Sequence, residues 1–227
     1  MAILRTENLY KVYDSNGISV TALQDINLEI HTGDFMVLAG PSGSGKTTLL
    51  NLLGSLDKPT KGKVFFDGED LAVKTKKELS NIRLNKMGFI FQAYNLIPVL
   101  TAVENVEFPM MLLGYNEKDR RKKAVEIMSY LGIEDLVNKR PNQMSGGQQQ
   151  RVAVARAIVN DPHVVLADEP TANLDSKSGA NLLDLMGKMN REKNITFIFA
   201  SHDFHVIERA KILVKIEDGK IIENQTA

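Results

Sequence analysis

A glycine-rich segment near the start of the chain has the residue types and spacing that hold nucleotide phosphates. Residues 40–47 read Gly-Pro-Ser-Gly-Ser-Gly-Lys-Thr, which matches the P-loop pattern G-x-x-x-x-G-K-[ST]. Glycine lets the backbone curl until successive N–H groups point at an anion, and a following helix adds its positive N-terminal dipole. In such a loop Lys46 reaches the β- and γ-phosphates, and Thr47 offers a hydroxyl to Mg²⁺. A chance glycine-rich turn is the alternative, but this segment lies between an apolar strand and a helix.

The loop therefore predicts a site for ATP with Mg²⁺. The residues expected to contact the nucleotide here are Gly40, Pro41, Ser42, Gly43, Ser44, Gly45, Lys46, Thr47 and Thr48.

Two acids at the end of an apolar run are the second candidate for chemistry. Residues 164–167 are apolar and are followed by Asp168 and Glu169. Because the carboxyl ends of strands in an α/β sheet gather around the ligand crevice, these acids are expected near the phosphates. Asp168 can hold Mg²⁺ through a water, and Glu169 can deprotonate the water that attacks the γ-phosphate. Alone, such a pair usually marks only a strand end; beside a P-loop it predicts hydrolysis.

The elements that must position these residues alternate between strand and helix, which favours an α/β fold with a largely parallel sheet. Strands are expected at residues 21–30, 35–39, 88–91, 164–167, 196–200 and 212–217, the last completing the set. Helices are expected at about 46–53 and at 176–193, the second with a serine N-cap. A hairpin at residues 63–68 and the N-terminal strands predict a small antiparallel layer beside the main sheet.

The segment between Gln92 and Asn160 has a different pattern, because it is mostly helical and contains no convincing strand. It is far longer than the 2–6-residue loops usual in α/β units, so we interpret it as an inserted subdomain; a longer crossover is the alternative. This gives one domain over residues 1–227, with a core from 1–92 and 160–227 and a helical part from 93–159.

Composition narrows the class of protein further. The 227 residues carry 28 basic and 28 acidic side chains, so the charge balance gives no support to a nucleic-acid partner. The chain has no cysteine, which excludes disulfides and thiolate metal sites. No apolar run approaches the roughly 20 residues of a membrane helix, and the first residues do not resemble a signal peptide. If the protein works at a membrane, another component must hold it there.

Residues 144–157, Met-Ser-Gly-Gly-Gln-Gln-Gln-Arg-Val-Ala-Val-Ala-Arg-Ala, resemble the signature of the ATP-binding cassette (ABC) family, although the family usually begins it with leucine. The resemblance implies a P-loop NTPase (RecA-like) core with an N-terminal antiparallel β layer and an inserted helical subdomain. It further implies that two copies bind head to tail, each ATP lying between the P-loop of one and the signature of the other. The signature residues expected to contact ATP are Ser145, Gly146, Gly147 and Gln148. An ordinary capped helix would explain Ser145 but not the paired glycines.

Other landmarks of the family occur in order along the chain. Gln92 resembles the glutamine that contacts the Mg²⁺ shell, and Asp175 ends a segment that resembles the D-loop at the dimer interface. His202 resembles the switch histidine that contacts the γ-phosphate; a lone histidine after a strand is otherwise just a polar strand end. Tyr13 resembles the aromatic residue that stacks on adenine, with Tyr10 on a nearby turn and a core or surface role as the alternatives.

Residues 91–110 and 141–143 resemble the LolD/MacB branch of the family, which serves lipoprotein release and macrolide export. This implies an integral membrane permease of the FtsX/MacB kind as partner, export or extraction as the task, and a cytoplasmic position on the inner face of the cell membrane. A regulatory ATPase of the FtsE kind is an alternative. A soluble ABC ATPase acting on DNA or ribosomes is disfavoured, because the chain has one cassette and no long coiled-coil insertion. Residues 96–100 and 106–113 are either the contact with that permease or helical core.

Overall fold

The computed structural model describes residues 2–15 and 17–226. Its strands are β1 (Ala2–Ser15), β2 (Ile18–His31), β3 (Phe35–Ala39), β4 (Lys61–Phe66), β5 (Glu69–Asp70), β6 (Met87–Ile90), β7 (Val164–Asp168), β8 (Thr196–Ser201), β9 (Ile212–Glu217) and β10 (Lys220–Thr226). Its α-helices are α1 (Lys46–Leu53), α2 (Lys76–Lys86), α3 (Ala102–Leu112), α4 (Glu117–Tyr130), α5 (Gly146–Ile158), α6 (Ser176–Lys193) and α7 (Phe204–Ile207).

The strands form two sheets. The antiparallel sheet has the order β2-β1-β4-β5, and the six-stranded sheet has the order β10-β9-β3-β8-β7-β6. In the larger sheet β3, β6, β7, β8 and β9 pair in parallel, and only β10 runs antiparallel to its neighbour. The predicted α/β fold with an antiparallel layer is confirmed. Because β3, β7 and β8 are parallel, their carboxyl ends meet at one edge of the sheet.

The central strand β3 is buried along its whole length and separates two apolar cores. Phe35, Val37 and Ala39 belong to one core, and Met36 and Leu38 belong to the other, as the alternation of side chains along a strand requires. The first core contains the apolar faces of α3–α6. The second contains α1 and the inner face of the antiparallel sheet. A parallel strand that is covered on both faces consists of consecutive apolar residues. The apolar run at residues 35–39 therefore predicts a buried strand.

The segment predicted to be helical contains α3, α4 and α5 between β6 and β7, and it includes no strand in the described residues. Its division from the core as a subdomain stays an interpretation. No helix in residues 2–15 and 17–226 has the length and apolar content needed to cross a membrane.

The sequence pattern does not predict two of the helices and one of the strands. The helix α2 buries only Leu79, so it has no apolar stripe; its signal was the capping box of Thr75 and Glu78. The short helix α7 and the edge strand β10 were also missed, so the prediction that the strand set ends at residue 217 was wrong. The predicted serine N-cap of α6 is wrong as well. Its cap is Asp175, whose Oδ1 accepts a hydrogen bond from the Ser178 N–H at 3.0 Å.

Candidate functional site

Both sequence motifs contribute to one cleft of about 620 Å³ at the carboxyl edge of the larger sheet. The predicted site residues that line it are Ser42, Gly43, Gly45, Lys46, Thr47, Thr48, Gln92, Asp168, Glu169 and His202. Gly40 and Pro41 line an adjoining depression together with His202. Ser44 is buried, and its hydroxyl has no hydrogen-bond partner among the described residues.

The loop before α1 needs glycine at its two ends. Gly40 and Gly45 have φ angles of 154° and 106°, which side-chain-bearing residues rarely adopt. A Cβ on Gly40 would lie 2.1 Å from the carbonyl oxygen of Ile216, and one on Gly45 would lie 2.6 Å from that of Ala22. Backbone atoms therefore enclose the loop so closely that only glycine fits, and its N–H groups can surround an anion.

The turn between β9 and β10, which no sequence motif assigns to the site, is hydrogen-bonded to the P-loop. Gly219 lies between β9 and β10; its N–H donates to the Ser44 carbonyl at 3.0 Å, and its own carbonyl accepts from the Gln24 N–H at 2.8 Å. Asp218 and Gly219 also line the cleft. The available signal was the Asp-Gly dipeptide, which is typical of a two-residue hairpin turn.

The ammonium group of Lys46 lies against the loop itself. Its Nζ donates to the carbonyls of Gly40 and Pro41, each at 2.8 Å, and the residue is buried. Burial lowers the pKa of Lys46, while the carboxylates of Glu169 and Asp168 act in the opposite direction. The cation is thus held at the loop with part of its hydration removed, which favours a bound anion as a further partner.

The P-loop and the end of β7 meet through Thr47 and Asp168. The Thr47 hydroxyl donates to Oδ1 of Asp168 at 2.9 Å. Burial raises the pKa of Asp168, the Thr47 bond opposes that effect, and the charge of Glu169 adds to it. These two oxygens suit Mg²⁺, which binds one or two carboxylates and completes its shell with water and phosphate oxygens. The described residues contain no cluster of three acidic or histidine side chains that would form a closed metal cage.

Glu169 is oriented by β8 and the residue that follows it. Its Oε2 accepts from the Ser201 hydroxyl at 2.9 Å, its Oε1 accepts from the His202 N–H at 3.3 Å, and the His202 Nδ1 lies 2.6 Å from Oε1. The Glu169 backbone has φ 44°, which turns the chain away from the strand direction. A carboxylate held in this way at the cleft can accept a proton from a water. No sequence motif indicates the role of Ser201.

The segment Ser145–Gln148 lies outside this cleft. Ser145 caps α5: its Oγ accepts from the Gln148 N–H at 3.4 Å, and Oε1 of Gln148 accepts from the Ser145 N–H at 2.9 Å. Gly147 lines a separate cavity of about 180 Å³ on another part of the surface. None of the four predicted signature residues, and not Asp175, lines the cleft that holds Lys46. Within one chain, the structure does not bring the two halves of the expected site together.

A model of the ABC transporter family matches residues 23–172, which covers both motifs and the segment between them. The chain belongs to the ABC transporter ATP-binding family. It is an ATPase of that family, with ATP as its substrate and Mg²⁺ as its cofactor.

Relatives of this ABC ATPase match over most of its length. It is 45% identical over 219 residues to an uncharacterized ABC transporter ATP-binding protein of Thermotoga maritima, covering 96% of this chain and 93% of that one. It is 45% identical to the lipoprotein-releasing system ATP-binding protein LolD 1 of Chlorobium chlorochromatii, covering 96% and 90%. It is also 45% identical to the macrolide export ATP-binding/permease protein MacB of Bartonella henselae, but it spans only 34% of that protein's length.

A solved structure is similar along nearly the whole ABC ATPase. It is a dimeric, post-hydrolysis state of the ATP-binding cassette MJ0796 bound to ADP and Pi, a protein of Methanocaldococcus jannaschii. The TM-score is 0.92 at 42% identity, and the match covers 98% of each chain. The predicted P-loop NTPase fold is thereby confirmed.

Tyr13 lies beside the cleft of the ABC ATPase but does not line it. The residue is 42% exposed, and it pairs across the sheet with Val20, which does line the cleft. Tyr10 faces a different surface depression with Gln24 and Asp25. The position favours Tyr13 over Tyr10 as the adenine-stacking residue, which stays a prediction.

Gln92 connects the cleft to the segment before α6. Its carbonyl accepts a hydrogen bond from Nδ2 of Asn173 at 2.8 Å. The side chain of the nearby Tyr94 packs against the start of α5. Its hydroxyl is so close to Gly146 that an added Cβ there would lie 2.7 Å away. The glutamine, the signature and the segment that ends at Asp175 are therefore in contact through a few side chains.

Proposed function

We propose that the chain is the ATP-hydrolysing subunit of a membrane transporter and that two copies enclose ATP head to tail. The observation that carries this is the separation of Ser145–Gln148 from the cleft of Lys46 and Glu169 on one chain. When the P-loop holds the phosphates, the side of the γ-phosphate that faces away from the loop is open to contact with a second copy of the chain. The helix N-terminus of α5, with its capping serine and two glycines, offers backbone N–H groups and the positive end of the helix dipole, which suit such a phosphate. The dimeric state of the related cassette MJ0796 supports this arrangement.

Each predicted residue then has a defined task. The loop N–H groups and Lys46 bind the β- and γ-phosphates, and Thr47 with Asp168 holds Mg²⁺, with Gln92 near its shell. Mg²⁺ supplies positive charge that offsets the charge developing on the phosphate oxygens. Glu169 accepts the proton of the attacking water, and His202 orients Glu169 and faces the γ-phosphate. Asp175 contributes to the facing surface of the second copy, and loss of the γ-phosphate lets the two copies separate.

The membrane partner is proposed to be an FtsX/MacB-like permease, with export or extraction as the task. The MacB and LolD relatives support this. On the helical segment Val106 and Met110 are buried, whereas Val99, Met111 and Leu112 are 73%, 47% and 57% exposed. The apolar stretch is thus core in part, and its exposed part is the surface offered to the permease. We therefore propose that the chain works in the cytoplasm, on the inner face of the cell membrane.

The head-to-tail arrangement is testable in solution. Glu169→Gln is expected to dimerise when Mg-ATP is added, measured by light scattering after size exclusion, because ATP persists at the interface. Ser145→Arg in the same background should remain monomeric with ATP and still bind it, since the serine belongs to the other copy's site. A matched control, Ser129→Arg at the exposed end of α4, should dimerise normally. Dimerisation of the Ser145→Arg protein would contradict the proposal.

A further inference from the structure

Three side chains that lie next to the nucleotide cleft, without lining it, form a hydrogen-bonded cluster. They are Lys11 and Tyr13 on β1 and Asp57 beyond the end of α1. Oδ1 of Asp57 accepts from Nζ of Lys11 at 2.8 Å, and Oδ2 accepts from the Tyr13 hydroxyl at 2.8 Å. The Lys11 ammonium also lies 4.6 Å from the centre of the Tyr13 ring. One carboxylate thus holds a cation and a phenol that contact each other.

The cluster fixes the tyrosine ring from one side. The Lys11 side chain is only 11% exposed, and its Nζ donates to the carbonyl of Lys58 at 2.8 Å in addition to Asp57. Lysine is rarely buried to this extent unless it is paired. Its ammonium occupies one face of the Tyr13 ring in a cation–π contact, whereas the ring as a whole keeps a large exposed area. The opposite face is therefore the one available to a planar ligand.

The same carboxylate connects the ring to the phosphate-binding helix. The N–H groups of Leu56 and Asp57 both donate to the carbonyl of Asn51 in α1, at 2.8 and 3.3 Å. Although burial acts to raise it, the pKa of Asp57 is lowered by its bonds from Lys11, Tyr13 and the Lys58 N–H. The charged carboxylate is thus stabilised at a fixed distance from the helix that begins at Lys46.

We propose that Lys11 and Asp57 are positioning residues that hold the Tyr13 ring, relative to α1, where it stacks on the adenine base. This rests on the proposed role of Tyr13. A ring already held in place loses little conformational freedom when the base stacks on it, so less of the stacking energy is offset. The phosphates are bound by the other end of α1, so the helix sets the distance between base and phosphate subsites.

Comparing a ligand that has a base with one that has only phosphates distinguishes positioning of the Tyr13 ring from a general disturbance of the nucleotide site. Binding of Mg-ADP and of inorganic pyrophosphate with Mg²⁺ would be measured by titration calorimetry. Tyr13→Ala is expected to weaken ADP binding about tenfold or more, as loss of base stacking does. Lys11→Met and Asp57→Asn should each weaken it about threefold to tenfold. All three should bind pyrophosphate like the wild type.

A second ion pair of the same sheet provides the control. Lys63 on β4 lies 3.2 Å from Asp70, away from the cleft, so Lys63→Met should leave ADP affinity unchanged. In the Tyr13→Ala background, Lys11→Met should cause no additional loss, because the ring that it positions is absent.

The outcomes distinguish the two proposals. Normal ADP affinity in Tyr13→Ala would remove Tyr13 from the base site and with it the role of its neighbours. If Tyr13→Ala weakens ADP binding while Lys11→Met and Asp57→Asn do not, only the positioning proposal is overturned. It is equally overturned if these two variants lose pyrophosphate affinity in parallel, or if Lys11→Met still weakens ADP binding without the tyrosine.

Discussion

Nδ1 of His202 lies 2.6 Å from Oε1 of Glu169, so the two residues expected to carry hydrolysis form one pair. The other oxygen of the same carboxylate accepts from Ser201 at 2.9 Å. The Glu169 side chain is 14% exposed and that of His202 is 66% exposed, so the carboxylate lies under the imidazole at the cleft. The orientation of the proposed base therefore depends on two consecutive residues, the last residue of β8 and the residue that follows it.

Glu169→Gln should abolish most of the hydrolysis while ATP binding persists. The amide keeps the size of the side chain but cannot accept the proton of the attacking water, so phosphate release should fall roughly 100-fold or more. Steady-state phosphate release and equilibrium ATP binding would be measured on the same protein. Glu208→Gln, a change of the same kind at an exposed position near α7, is the control and should turn over normally. Near-normal turnover in Glu169→Gln would remove Glu169 from the role of base.

Ser201→Ala should slow hydrolysis by removing the hydroxyl that donates to Glu169; the same hydroxyl also accepts from the Asp203 N–H at 3.1 Å. Loss of one hydrogen bond to a charged group leaves the carboxylate less well oriented, so kcat is expected to fall about fivefold to tenfold at unchanged ATP affinity. The same substitution in the Glu169→Gln background should have no further effect on kcat. An equal effect in both backgrounds would show that the serine acts elsewhere.

The parts of the site that can be predicted from the sequence are those whose residues are close together in the chain. The P-loop and the acids after β7 are short contiguous motifs whose chemistry depends on neighbouring residues, so their positions in the chain suffice. Ser201 is different, because it reaches Glu169 only through the parallel register that pairs Asp168 with Ala200. A single sequence does not show which strands are neighbours in the sheet. The hydrogen bond between Ser201 and Glu169 is therefore not predictable from the spacing of these residues in the chain.

The same reasoning explains the missed elements of the fold. Gly219 contacts the P-loop only because β9 lies next to β3, which tertiary structure decides. The helix α2 is largely polar and is stabilised by its capping box and by contact with β6, so a search for apolar periodicity passes over it. At the start of α6 the predicted and observed N-caps differ by one residue, because Asp175, expected at the dimer interface, is also a strong N-cap.

Gly45→Ala should destabilise the protein more than the same change at another glycine with a positive φ. At Gly45 the added Cβ would lie 2.6 Å from the Ala22 carbonyl oxygen, a backbone atom that cannot move away alone. At Gly68, with φ 79°, the Cβ would meet nothing within 4 Å. We expect the free energy of unfolding to fall by about 1 kcal/mol for Gly68→Ala and by about 2–4 kcal/mol for Gly45→Ala. Urea titrations would measure both, and equal losses would contradict the close packing of the loop.

Asp168 is expected to lower the stability of the nucleotide-free protein at neutral pH. Burial, together with the charge of Glu169, raises its pKa above the ordinary value of 3.8, in spite of the bond from Thr47. Between the unfolded and the folded pKa the native state binds more protons, so stability decreases as pH rises through this window. Above the folded pKa the ionised side chain therefore costs stability in the absence of a cation.

Asp168→Asn should consequently raise the free energy of unfolding at neutral pH and have less effect in acid. The amide is uncharged at every pH, so the difference between variant and wild type should shrink as pH falls through the folded pKa of Asp168. Urea titrations of both proteins over a series of pH values, without nucleotide, measure this difference directly. Mg-ATP should reverse the order, because the wild type gains binding energy that the variant has lost with its metal ligand. A variant less stable than the wild type at neutral pH would show that the Thr47–Asp168 bond and the attraction of Lys46 together outweigh the cost of the buried charge.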